Sequence, residues 1–264
     1  MAGRLIFVTY AAGAYARNLA PNGRFARHGL GADQVLLHTR QDLERDPLYA
    51  AHRDVFDAAR GAGYWAWKPL FILRALEQAQ PGDVVLYQDC GTGLRYKNVL
   101  RPRELLAMAR ARGMIAGVRT PQYGANRRWN RKACLASMGV DRPDWLEAAT
   151  IEASVSLWPA SAESREFVAA WLDWCLTLEA IRDARPDELA GEDPAFVEHR
   201  FDQSILTNLC LTRAAPVLEV NEATLPLAKS VTMLELDLRA RRSGAWRLLY
   251  RAVTGLGAWR RTRR

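Results

Sequence analysis

Histidine and cysteine are scarce in this chain of 264 residues, four of each, and neither falls into a catalytic or metal-binding spacing. Cys90, Cys134, Cys175 and Cys210 stand far apart and include no CxxC pair. That excludes a zinc module and a disulfide framework, and it fits a reducing compartment. No HExxH, GxxxxGK[ST] or GxSxG pattern occurs, which removes the common metalloprotease, nucleotide-triphosphatase and serine-hydrolase readings. Gly91-Thr92-Gly93 lacks the third glycine of a dinucleotide fingerprint. No uncharged run reaches the roughly 18 to 20 residues that a membrane-crossing helix needs. The opening apolar run, Leu5 to Val8, is too short for a leader and reads as a first buried strand, so a cytoplasmic location is expected. A Gly/Ser-rich or Pro-rich linker is absent as well, so a single folded domain over 1–238 with a tail over 239–264 is the simplest organisation.

What is present is the composition of a folded α/β protein: 49% apolar and 25% charged residues. Strands are predicted at Leu5 to Val8, with Thr9-Tyr10 at the ligand edge, and at Gln34 to His38, Val84 to Tyr87, Met114 to Val118 and Ala153 to Trp158. Helices are predicted over Asp46 to Arg60, after Lys68, over Pro102 to Arg112, and from a Ser161 cap to about Ala180. Strands alternating with helices argue for a mainly parallel sheet flanked by helices. In the last of these helices Phe167, Trp171, Trp174 and Leu178 recur at three and four residues, a stripe for the core. Asp183 to Pro194 reads as a solvated loop, of a kind that can border a binding site.

Gly61 to Gly93 concentrates the chemistry. Pro69 suits a first helical turn and sets Lys68 just before the helix start, where positive charge and free N–H groups suit a phosphate. Asp89 falls at the carboxyl end of Val84 to Tyr87, the edge where open α/β sheets bind ligands, and a carboxylate there can hold a divalent cation or a ribose hydroxyl. Tyr64, Trp65 and Trp67 would stack a nucleobase or sugar face if exposed, the alternative being core packing. Since alternate residues of an extended segment point oppositely, one of Trp65 and Trp67 packs inward while Tyr64 or the other faces the ligand.

Gly63 to Pro69 (GYWAWKP), Gly82 to Gly91 (GDVVLYQDCG) and His199 to Ser204 (HRFDQS) resemble, in order, three blocks of a group of bacterial glycosyltransferases with the GT-A, Rossmann-like fold. The resemblance implies transfer of a sugar from a nucleotide-diphosphate donor to a glycan or lipid-linked acceptor, as in cell-surface polysaccharide or lipopolysaccharide assembly. Asp202, at a helix start that can present a carboxylate to an incoming hydroxyl, is the candidate catalytic base, and Tyr10, Tyr64, Trp67, Lys68, Asp89 and Gln203 are the candidates for contact with the donor. Many such enzymes carry Asp-x-Asp. Here the turn is Asp89-Cys90-Gly91, so a Mn²⁺ or Mg²⁺ ion would lean on Asp89, diphosphate oxygens and water. Asp202 and Gln203 are expected in a helix beginning near His199; the alternative for Asp202 is a carboxylate stabilised by the helix start. His199 is either a metal or phosphate ligand or a structural histidine. The cluster Arg127 to Lys132 is either a solvated turn or, facing a cleft, a place for Arg131 or Lys132 to hold diphosphate.

From Arg239 to Arg264 there are nine arginines and no acidic residue, so the tail carries +9 and the rest of the chain −1 of the total +8. Trp246, Leu249, Tyr250, Val253 and Leu256 share one helical face, which fits a basic amphipathic helix lying on an anionic membrane surface, the alternative being a helix docked on the domain with a disordered arginine end. Peripheral attachment at the inner face of the cytoplasmic membrane would serve a lipid-linked acceptor. The competing reading is a non-catalytic protein that binds sugar nucleotides, or nucleic acid through the arginines.

Overall fold

The computed structural model describes residues 3–90 and 102–219; Gly91 and the basic tail lie outside them. Strands β1 (Leu5–Tyr10), β2 (Gln34–His38), β3 (Val84–Gln88) and β6 (Val155–Pro159) form a four-stranded sheet in the order β2-β1-β3-β6. β2 and β3 run parallel to β1, in registers that include Phe7 with Val35 and with Leu86, and β6 runs antiparallel beside β3. β4 (Val118–Arg119) and β5 (Ile151–Glu152) make a small antiparallel side pair. The chain is therefore an α/β protein with a mixed, mainly parallel sheet flanked by helices.

The sheet is apolar on both faces, as a sheet covered on both sides must be. Ile6, Val8, Val85 and Tyr87 point to one side, and Leu5, Phe7, Val84 and Leu86 to the other. The first side is covered by helices α1 (Trp67–Gln78) and α3 (Ala162–Cys175), with α4 (Asp202–Arg213) packed on α3; α2 (Pro102–Arg112) and the helical segment 19–30 close the second. In α1 every residue from Trp67 to Ile72 is buried, with Ala75 and Leu76, so its first half is enclosed all round, as a helix lodged between the sheet and other elements must be. α3 begins at Ser161, whose hydroxyl accepts from the Ser164 N–H at 3.1 Å.

Several predicted boundaries differ. Asp46 to Arg60 is broken at His52 into Pro47–Ala51 and Arg53–Phe56. Only Val118 of the expected Met114 to Val118 strand lies in a ladder, while Ile115 bridges to Leu157. The helix expected to run to Ala180 stops at Cys175, and Leu178 belongs to a separate short turn, Leu178–Ile181.

Trp171 links core to site. It is fully buried, and its indole N–H donates to the main-chain oxygen of Asp202 at 3.0 Å. Trp171→Ala should lower stability by about 3–5 kcal/mol, read by urea unfolding. A loss below about 1 kcal/mol would contradict this packing.

Candidate active site

The carboxyl end of β3 and the first turns of α1 and α4 converge on one cluster. Asp89 follows β3 directly, and its N–H donates to the Ser154 carbonyl at 2.8 Å, which ties it to the turn before β6. The Tyr87 hydroxyl donates to Asp89 Oδ1 at 2.5 Å. Lys68 lies in the first turn of α1 rather than before it. Its ammonium is 2.9 Å from Asp202 Oδ2, 3.4 Å from Asp89 Oδ1 and 5.5 Å from the centre of the Tyr87 ring. It is 3% exposed, so it is no open phosphate-facing charge but a buried cation between two carboxylates.

Asp202 is the first residue of α4, which begins there and not at His199. Burial raises its pKa to about 6, against the opposing pull of Lys68, and the charge of Asp89 raises it further. Burial also opposes the charge on Lys68, but Asp202 and Asp89 outweigh it and its pKa is raised. Burial, reinforced by Asp89, holds the Tyr87 phenol far above its ordinary range, so it stays a donor. The result is a carboxylate that is anionic at neutral pH and takes a proton near pH 6, where it is well placed for general-base work.

A cleft of about 180 Å³ opens on this cluster, lined by Lys68, Asp89, Asp202 and Gln203 together with Trp65, Ser154, Glu198 and Arg200, among others. Three aromatics assigned to the donor from sequence do not line it. Trp67 is 5% exposed, stacks on Tyr10 at 4.1 Å between ring centres, and donates to the Gly61 carbonyl at 3.0 Å. Tyr10 also stacks on Phe71, which makes both rings part of the core. Tyr64 is half-buried and stacks on Phe201 at 5.2 Å. Trp65 takes the place expected of Trp67, because the segment is not extended. Gly61 to Trp65 all have positive φ, a left-handed turn, so the alternation of a strand does not apply. Gly63 has φ 105°, and a Cβ there would come within 2.9 Å of the Phe56 carbonyl oxygen, so the position has no room for a side chain.

The basic cluster faces the other way. Arg131 is 1% exposed, bonds Glu188 at 3.0 Å and reaches the main-chain oxygens of Glu179 and Arg182. Lys132 bonds the Gly191 carbonyl at 2.5 Å. Arg131 and Lys132 thus pin the 183–194 loop; Arg128 and Lys132 stay exposed while Arg131 is buried, and none of them lines the cleft. His199 is buried. Its Nδ1 accepts from the Arg131 N–H, its Nε2 lies 3.0 Å from the Ala180 oxygen, and burial, with Arg131, pushes its pKa down to about 3. It is a neutral structural histidine.

No group of three or more metal-ligating side chains forms among the described residues. Asp89, already bonded by Tyr87 and paired with Lys68, offers a single partly exposed carboxylate. That donor set does not fit a resident cation, and no chemical step is assigned to one. Sequence reasoning passed over Ser154 and Glu198, which carry no local pattern; only the fold brings the 152–154 turn and the residues before α4 to the cleft. No helix among the described residues is long and apolar enough to cross a membrane.

No known protein family matches the chain, and no curated protein does. Among solved structures, the apo structure of the bifunctional glycosyltransferase WbbM is similar over 82% of this chain, at 13% identity and a TM-score of 0.44. This chain covers 38% of that protein, so it spans well under two-thirds of its length. A likeness so distant carries no functional argument.

Proposed function

We propose that the chain is a glycosyltransferase that moves a sugar from a nucleotide-diphosphate donor to a glycan or lipid-linked acceptor. The observation that carries the reading is the Asp89–Lys68–Asp202 cluster in a cleft at the carboxyl edge of the parallel strands. Its three residues come from the three separate sequence blocks that resemble such enzymes. In a direct displacement the acceptor hydroxyl attacks the anomeric carbon, the bond to the diphosphate oxygen breaks, and the hydroxyl proton passes to Asp202. Lys68 keeps Asp202 anionic, and Asp89 and Gln203 would meet the donor. A cation, where one takes part, would arrive with the diphosphate.

The test is a thermal-shift and hydrolysis screen of the purified protein against UDP-, GDP-, CMP- and dTDP-sugars, with and without Mn²⁺ or Mg²⁺. A selective shift with slow release of sugar to water supports the reading, and Asp89→Asn should abolish turnover with the fold kept. A shift with the donor left intact would favour a non-catalytic sugar-nucleotide binder. Absence of both, or full activity in Asp89→Asn, would reject the proposal.

A further inference from the structure

Among the described residues, strain gathers at one place. Apart from Ala214 at the end of α4, the described non-glycine residues with positive φ are Ala62, Tyr64 and Trp65 in the left-handed turn and Phe201 before Asp202. Such conformations cost of order 1–3 kcal/mol each and persist where the surroundings enforce them, often at ligand sites. The two strained segments meet. Phe201 stacks on Tyr64 and lies 5.5 Å from the Trp65 ring. What the strain achieves is the position of Trp65. Its indole lies across Gly61, where a Cβ would come within 2.1 Å of the ring, and, half-buried with one part packed against the core, it also lines the cleft.

The same cleft has a second unused group. Ser154 is 7% exposed, lines the cleft, and its hydroxyl has no hydrogen-bond partner, although a buried hydroxyl ordinarily finds one. Its main chain already holds Asp89, so the side chain is free for a ligand. Around the rim, Glu198 pairs with both Arg60 at 3.0 Å and Arg200 at 2.8 Å, which sets planar donors and acceptors beside the aromatic face. An aromatic platform, a buried unpaired hydroxyl and a rim of paired charges suit a ring with one apolar face and hydroxyls at its edge.

We infer that the cleft contains, beside the Lys68 cluster, a subsite for one pyranose ring, with Trp65 beneath the ring and the Ser154 hydroxyl bonded to one of its hydroxyls. The inference rests on the glycosyltransferase reading and names what that site holds. The ring belongs to the acceptor or to the donor sugar, and both present the same chemistry.

The test compares wild type, Trp65→Ala, Trp65→Phe, Gly61→Ala and Ser154→Ala in two arms. In the first, methyl glycosides of glucose, galactose and mannose are titrated and followed by saturation-transfer NMR. In the second, each nucleotide sugar is compared with its bare nucleoside diphosphate by calorimetry. An acceptor ring predicts glycoside binding weakened about tenfold or more by Trp65→Ala and about fivefold by Ser154→Ala, with nucleotide-sugar binding unchanged. A donor ring predicts instead that the advantage of the nucleotide sugar over the bare nucleotide disappears in the same variants. Trp65→Phe should recover part of the loss, and Gly61→Ala, which displaces the indole, should reproduce it. Ser154→Ala removes no existing bond, so it keeps the test valid should the turn variants misfold. The inference is overturned if Ser154→Ala and Trp65→Phe change neither arm, or if wild type binds no glycoside and prefers no nucleotide sugar over its nucleotide. Failure of the transferase reading is seen separately, as the absence of any response to nucleotides.

Discussion

Asp202→Asn is expected to lower the rate of transfer by about 10²–10⁴-fold, the range a positioned general base contributes, while the protein still folds and binds its donor. The amide matches the carboxylate in shape, and Lys68 keeps Asp89 as a partner at 3.4 Å, so the ammonium is not left without a counter-charge. Stability should fall, because the buried Lys68 ammonium loses its nearer carboxylate, but by less than in a variant that leaves a charge unpaired, since Asp89 remains as a partner and the burial penalty on the Asp202 charge is relieved. The diagnostic is the pH profile. In wild type kcat/KM should fall below about pH 6 as Asp202 takes up a proton, and in the variant that limb should vanish from what activity remains. A rate within a few-fold of wild type, or a retained limb near pH 6, would remove Asp202 from the base role. Measurement uses the nucleotide sugar selected by thermal shift, with donor affinity determined in parallel so that a loss of rate is not mistaken for a loss of binding.

Much of this site could be read in the sequence because its acidic residues sit at element ends that leave local marks. β3 is an unbroken apolar run that stops at Gln88, so the position of Asp89 past a buried strand follows from hydropathy alone. The bounds that hydropathy predicts for β2 and α2 are those they have in the structure. What could not be read is orientation. Whether Trp65 or Trp67 faces the cleft depends on backbone handedness, and five successive positive-φ residues have no signature beyond the two glycines that permit them. Lys68 was expected to meet phosphate at a helix start. Its burial between Asp89 and Asp202 is a long-range fact, set by how α1, β3 and α4 pack, and no local pattern encodes a partner more than a hundred residues away. The sequence leaves Arg131 and His199 open for the same reason: His199 takes the structural alternative and Arg131 neither of its two, each being consumed by the 179–192 region that folds over it.

Lys68→Met tests the coupling within the cluster and should show in two independent quantities. Without the ammonium, Asp202 loses the partner that restrains its pKa while burial and Asp89 continue to push it up. The acidic limb of kcat/KM should therefore move from about pH 6 to above neutrality, so that at pH 7 the base is mostly protonated and activity is largely lost. Stability follows with a definite sign. The folded pKa of Asp202 is raised from 3.8 to about 6, so its contribution is fully present below the unfolded value and is lost as pH rises through the folded one. The raised pKa of Lys68 gives a contribution that stands at neutral pH and is lost only in the alkaline range. Removing Lys68 deletes the second contribution and extends the decline of the first to higher pH. Relative to wild type, the variant should lose about 3–5 kcal/mol where Asp202 would have to stay charged, near pH 8, and clearly less near pH 5, where a proton neutralises it. Urea unfolding at those two pH values reads the difference. An equal loss at both, with the limb of kcat/KM unmoved, would mean that Lys68 fills space in the first turn of α1 and does not set the charge of Asp202.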